Sequence, residues 1–166
     1  MSLLKQHSIY LVFALLLCSA CNNTPDVAFE KTLVINNGLW DKSNVASIDM
    51  PVDDTLQFYD MQVYVRNRND YPFSNLYLFI TVTAPSGATV TDTMNYVLAD
   101  DHGKWRGKGS SQLWDNRFSF RNNIRFISSG NYNVQIRHGM RDEDLESEHL
   151  SGITDIGVRL VKVGNY

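Results

Sequence analysis

The chain has 166 residues, with 15 Lys and Arg against 18 Asp and Glu, for a formal net charge of -3. Mild acidity excludes a nucleic-acid binder that works through a basic surface. The length suits one domain with a proper core and hardly two.

First in chain order comes a targeting segment. MSLLKQHS carries one lysine, the run from Ile9 to Leu17 is apolar, and small residues precede Cys21. A run that short cannot span a bilayer as a helix, which takes about 20 apolar residues. It suits the apolar region of a secretory signal. The tetrad Cys18-Ser19-Ala20-Cys21 resembles a bacterial lipobox, with Cys18 standing where Leu is usual. Cys18 is a poor acceptor itself, because Leu17 would then sit at the cleavage bond. The expectation is a signal over 1–20 that is removed, a thioether-linked diacylglycerol on Cys21, and palmitate-type acylation of the new amino terminus. Several acyl chains anchor firmly where one binds only marginally. With Cys18 lost and Cys21 lipidated, the mature chain keeps no free thiol and no disulfide. Residues 21–27 read as a lipidated tether and 28–166 as the folded domain. No later apolar run could cross a membrane, so the lipid is the expected anchor.

From Val27 the apolar pattern has period two. Met61, Val63 and Val65 share one face, opposite Gln62, Tyr64 and Arg66. Leu76, Leu78, Ile80 and Val82 oppose Tyr77, Phe79, Thr81 and Thr83; Tyr132, Val134, Ile136 and His138 oppose Asn133, Gln135 and Arg137. In the last run Ile156, Val158 and Leu160 fall together, but Lys162 continues their face, which predicts a bulge near Leu160 or a strand that leaves the core there. Such alternation marks strands with one buried face. The connectors Arg68-Asn69-Asp70-Tyr71-Pro72, Ala84-Pro85-Ser86-Gly87 and Ser128-Ser129-Gly130-Asn131 carry turn chemistry. About seven to nine strands are expected. The predicted fold is all-β: an antiparallel β-sandwich of jelly-roll or immunoglobulin-like type, with a small β-barrel as the alternative.

The stretch LADDHGKWRGKGSSQLWD, Leu98 to Asp115, gathers the most chemistry. A phosphate-cradling loop needs four residues between its first glycine and a Gly-Lys pair followed by Ser or Thr. Here three residues separate Gly103 from Gly107, and Gly109 follows Lys108. Asp100, Asp101 and His102 are consecutive, so they diverge rather than converge on an ion, and zinc takes ligands from separated positions. The same residues make a good turn, with Asp at its start and Gly supplying a positive φ. The acidic run Arg141 to His149 reads as a solvated face, although paired carboxylates could serve a glycosidase. Trp40, Trp105 and Trp114, with Tyr71, Tyr77 and Phe79, fit core filling better than a sugar-stacking platform. What survives is Trp105 between Lys104 and Arg106, either capping the domain or offering a partner contact. No catalytic residue, metal, cofactor or small-molecule substrate is expected.

Several segments together resemble a known family. They are Tyr71-Pro72 with Asn75-Leu76, Leu98-Ala99-Asp100 through Gly103-Lys104-Trp105 to Gly107, Met140-Arg141, and Gly152-Ile153 with Asp155 and Gly157. In order and content they resemble the gliding-motility lipoprotein GldH family of the Bacteroidetes phylum. The spacing between Met140-Arg141 and Gly152-Ile153 is longer here, filled by the acidic run. The resemblance implies a non-catalytic outer-membrane lipoprotein that assembles or stabilises the gliding and type IX secretion apparatus, touching other envelope lipoproteins. It brings no catalytic residues. The lack of an acidic doublet after Cys21 points to the periplasmic face. Asp54-Thr55-Leu56 and Asp92-Thr93-Met94 also resemble the O-glycosylation motif of that phylum. The alternative from another class is a glycan-binding lipoprotein of a polysaccharide-uptake system; a third is an envelope hydrolase.

Overall fold

A computed structural model describes residues 25–140 and 149–164. The signal over 1–20, the proposed lipid site Cys21 and the acidic residues Arg141 to Glu148 lie outside the described residues.

Eleven strands are present among the described residues: β1 (Val27–Val34), β2 (Leu39–Asp41), β3 (Ala46–Val52), β4 (Tyr59–Arg68), β5 (Asn75–Thr83), β6 (Thr89–Val97), β7 (Lys108–Ser110), β8 (Leu113–Ile124), β9 (Gly130–His138), β10 (His149–Ser151) and β11 (Ile153–Lys162). One sheet has the order β1-β11-β4-β8-β7, the other β3-β9-β5-β6, and β2 pairs with β10 in a small third sheet. The number exceeds the seven to nine expected because β2, β7 and β10 have three residues each, too few to display alternation.

The eight long strands settle the architecture. Taken in chain order, the first, last, third and sixth form one sheet, and the second, seventh, fourth and fifth form the other. That is the wiring of a jelly roll, two interlocked Greek keys folded into a double sheet. The sheets do not close on each other: β1 and β7 edge the first, β3 and β6 the second. This removes the barrel alternative and the immunoglobulin-like order together.

The period-two pattern is what buries the core. In β5, Leu76, Leu78 and Ile80 are fully buried while Tyr77 and Phe79 face outward; in β9, Tyr132, Val134, Ile136 and His138 point inward. Opposite them, Met61, Val63 and Val65 of β4 and Ile156, Val158 and Leu160 of β11 close the layer. Each fully buried aliphatic side chain contributes about 1.5–3 kcal/mol.

The irregularity expected near Leu160 lies one strand over. Val27 of β1 pairs with Val161 and Phe29 with Leu160, so Ala28 is the extra residue. β11 itself stays in register with β4 out to Lys162, which passes beyond the core and meets Asp26 at 3.2 Å. Gly157 is explained by close approach: a Cβ there would stand 2.7 Å from the Lys31 carbonyl oxygen across the β1–β11 pair.

The sandwich has two distinct ends. One, called the tether end after the tether expected over 21–27, holds Asp26, the 53–58 loop between β3 and β4, the 84–88 hairpin and the 125–129 loop between β8 and β9. The other, the far end, holds β2 and β10, the 69–74 connector and the 98–107 segment. A nine-residue strand such as β5 separates them by about 30 Å at 3.3 Å per residue.

Candidate functional site

The far end is assembled from chain segments that cross between the sheets, and their backbones hold one another. The Leu98 and Ala99 N–H groups both donate to the Ser74 carbonyl, at 2.8 and 3.0 Å. Arg106 N–H returns to the Leu98 carbonyl, Asn69 N–H reaches Gln112, Arg68 N–H reaches Gly152, and Gly152 N–H reaches Gly38. Under this lattice sit Trp40, Leu98 and Leu150, with Tyr71 buried against them. Burial raises the Tyr71 phenol well above its ordinary range, and its hydroxyl donates to the Asn75 carbonyl at 2.8 Å. Gly152, at φ +92°, lies so close that a Cβ would stand 2.8 Å from the Tyr71 Cα.

The Asp-Asp-His-Gly stretch is a turn. The Asp100 N–H donates to the Lys104 carbonyl and the Gly103 N–H to the Asp100 carbonyl, each at 2.9 Å, with Gly103 at φ +78°. The Asp100 carboxylate folds back onto the same turn, accepting the N–H groups of Lys104 (2.9 Å) and His102 (3.0 Å). The bond from Lys104, then that from His102, holds its carboxyl below the usual carboxylate range. Its Oδ1 is thus committed to the turn. Among the described residues no three His, Cys, Asp or Glu side chains gather as a metal site would need.

Trp105 does two things at once. A β-bridge to Ala99 fixes its backbone, its indole packs on Tyr71 with ring centres 6.3 Å apart, and its Nε1–H donates to Asn69 Oδ1 at 2.9 Å. The ring is half-buried, so one side belongs to the far-end core and the other faces solvent. Lys104 and Arg106 on either side are exposed.

Arg106 brings in residues that sequence reasoning passed over. With Lys108, Arg117, Gly107 and Asp115 it lines a cleft of about 490 Å³ between the 98–107 segment and β8. Asp115, the anion in that wall, is already engaged: it accepts the Tyr64 hydroxyl at 2.5 Å and Arg66 Nε at 2.6 Å. Arg66 first, then Tyr64, lowers the Asp115 pKa. Arg117 pairs more loosely with Glu30 at 3.5 Å. The cleft mouth is therefore cationic on an acidic protein. The alternation Arg106-Gly107-Lys108 was visible as two cations on one side of an extended segment; the arrival of Arg117 from β8 was not.

The other candidates are scattered. Trp40 is fully buried, with its indole N–H donating to the Asn44 carbonyl and its ring 5.4 Å from that of His138. Trp114 is half-buried on β8. Tyr77 and Phe79 remain on the outer face of β5, where the Arg137 guanidinium lies over the Phe79 ring. Thr55 is half-buried in the 53–58 loop, and Thr93 is exposed on the edge strand β6 beside Asp92, which pairs with Arg121.

The segments that carried the family resemblance come together at this end. Tyr71 and Trp105 are in ring contact, Tyr71 bonds Asn75, Gly152 abuts Tyr71, and Met140 Sδ accepts the Tyr77 N–H. Residues 27–160 match the family model described as GldH lipoprotein. The chain is 30% identical over 156 residues to a gliding motility lipoprotein GldH homolog of Christiangramia forsetii, covering 93% of this chain and 94% of that one. It is 32% identical over 159 residues to the gliding motility lipoprotein GldH of Flavobacterium johnsoniae, covering 95% and 96%. Among solved structures, dimeric latent PorU from Porphyromonas gingivalis superposes on 89% of this chain and 14% of its own, at 7% identity and a TM-score of 0.35, too slight a likeness to carry an argument.

Proposed function

The chain belongs to the GldH lipoprotein family, and from that premise we propose that it is a non-catalytic assembly or stabilising component of the gliding and type IX secretion apparatus. In this reading it sits on the periplasmic face of the outer membrane, held by lipid on Cys21, and meets other envelope lipoproteins through its far end. The family match along 27–160 carries the proposal. The geometry supports a contact at the far end: Trp105 offers a fixed aromatic face, with Lys104 and Arg106 exposed on either side of it as positive charge suited to an acidic partner surface. Charges placed at a contact rim act mainly on encounter and specificity.

Affinity capture from membranes with the tagged full chain tests this. Recovery of gliding or secretion components with the wild type, and its loss with Lys104→Glu plus Arg106→Glu, is the expected result. Recovery of none of them, with oligosaccharide bound instead, sinks it in favour of a glycan binder. Protease added to intact cells tests the facing, because complete digestion would place the domain outside the cell.

A further inference from the structure

The tether end carries two large aliphatic side chains with no packing role in the fold. Ile127 is 99% exposed and Leu56 is 80% exposed, each at the tip of a connector. Neither tip is loosely built. Below Ile127, Phe126 is buried edge-on against Tyr59 and Tyr132, with ring centres at 5.7 and 4.7 Å, and the Tyr132 hydroxyl donates to the Ser128 carbonyl. Below Leu56, the Asp54 carboxylate accepts the N–H groups of Leu56 (2.8 Å) and Gln57 (3.2 Å), and the Tyr59 hydroxyl donates to the Asp54 carbonyl. Two well-braced turns thus present isoleucine and leucine to solvent side by side, and both border one cleft of about 420 Å³ with Thr55, Arg125 and Phe126. Phe58 lies next to them, and the Arg125 guanidinium rests over its ring at 5.5 Å.

The start of the described chain is at the same place. The Asp26 carbonyl accepts the Lys162 N–H, and the neighbouring Val163 N–H donates to the Phe58 carbonyl. Gln57 Nε2 reaches the Val163 carbonyl at 2.7 Å, which ties the Leu56 turn to the strand beside the tether. Only five residue steps separate Asp26 from Cys21. Fully extended, they reach at most about 18 Å at 3.6 Å per residue. If Cys21 is lipidated, the bilayer surface lies within that distance of Asp26, at the end of the sandwich that carries Leu56, Phe58 and Ile127.

We propose that this end is a membrane seat: Leu56 and Ile127, with Phe58 behind them, dip into the lipid surface that holds the anchor. The proposal rests on the Cys21 anchor reading. Arg125 has the position of an interfacial cation, its guanidinium laid over the Phe58 ring beside the tips, where its N–H groups could meet headgroup phosphate. The end as a whole is not basic, since Asp26, Asp53, Asp54 and Asp60 outnumber Arg125 and Lys162. Seating is therefore apolar in origin and needs no anionic lipid. It fixes the long axis of the sandwich away from the bilayer and presents the far end to its partners.

The test uses the full lipidated chain in phosphatidylcholine–phosphatidylethanolamine vesicles, with a polarity-sensitive fluorophore on an introduced cysteine at Ile127→Cys, at Leu56→Cys, or at Asp101→Cys on the far end. Intact-mass measurement first reads the diacylglycerol on Cys21. The expected result is a blue shift and a several-fold emission increase at 127 and 56 in vesicles, insensitive to salt, with none at 101. Labels at 127 and 56 that stay water-like while the protein floats with the vesicles overturn the seat and leave the anchor standing. Absence of the diacylglycerol mass overturns both. Labels shielded in native outer-membrane vesicles but wet in pure lipid put a protein over the tips, and also overturn the seat.

Discussion

The two ends of this jelly roll are built from the same material, short connectors between sheets, yet the two most exposed large aliphatic side chains among the described residues, Leu56 and Ile127, both stand at one of them. The far end folds Trp40, Tyr71, Leu98 and Leu150 under a lattice of backbone bonds between segments distant in sequence. The tether end has an equally well-made base in Tyr59, Phe126 and Tyr132 but leaves Leu56 and Ile127 outside it. A connector that must stay in water can satisfy its turn with polar residues, as Asp100 and Gly103 do. One that carries an aliphatic tip on a rigid base gains nothing for the fold, and its use has to be sought in what lies beyond the molecule.

The contrast can be broken most forcefully at Trp40. Trp40→Ala empties a fully buried site and should cost about 3–5 kcal/mol, read as a lowered denaturant midpoint. A loss under about 1 kcal/mol would mean that the far end is not part of the cooperative core. Next comes Gly152→Ala, where a new methyl meets the Tyr71 backbone at a positive φ; roughly 1–3 kcal/mol should be lost, again by equilibrium unfolding. Trp105→Ala should cost about 1–2 kcal/mol, since the half-buried ring leaves Tyr71 uncovered and Asn69 without its donor. Trp105→Phe should recover most of the packing, and comparing the two variants in the capture assay separates a packing role from a contact role.

Acid should also act unevenly. His138, packed on Trp40, has its pKa lowered by burial, foremost among the causes. The unfolded chain then binds a proton that the folded one refuses. The stability contributed by neutral His138 is complete above about pH 6.5 and is lost as pH falls from there through the depressed folded value. Hydrogen exchange followed from pH 7.5 to 5.5 should show far-end amides losing protection first, and His138→Phe should flatten that dependence. The smallest effect belongs to the other end: Leu56→Ser with Ile127→Ser should leave the unfolding midpoint of the detergent-solubilised chain within about 0.5 kcal/mol of wild type. A larger loss would show that the tips pack somewhere after all.

How much of this was legible beforehand follows from the range of each signal. The inward set of β5 could be read directly, because period two is a property of neighbouring residues. A glycine in a strand, such as Gly157, signals either a bulge or a close backbone approach, and only the position of the Lys31 carbonyl decides between them. The Asp100 turn was readable from Asp and Gly spacing. The jelly-roll order was not, because pairing Val27 with Val161 or Ala46 with Ile136 is a relation between distant segments that leaves no local trace. The same holds for the cleft: Arg106 and Lys108 are neighbours in sequence, but Arg117 joins them only because β7 and the 98–107 segment lie along β8. Trp105 looked like a choice between architecture and contact, and its half-buried ring sets one face on the core and leaves the other in solvent. Leu56 and Ile127 escaped notice because a single aliphatic residue in a loop is ordinary until its exposure is known.

The place of β11 in its sheet has a consequence for how the molecule is made. β11 lies between β1 and β4, so these two strands cannot be joined into one sheet until residues 153–162 have arrived. A chain emerging from a translocation channel would expose the inward faces of β4, β5 and β9 throughout that interval. Long-range pairing of this kind makes for slow folding and a long exposure to aggregation and proteolysis. Truncation before Ile153 should therefore yield a chain that never acquires protease resistance, whatever the fate of its amino terminus.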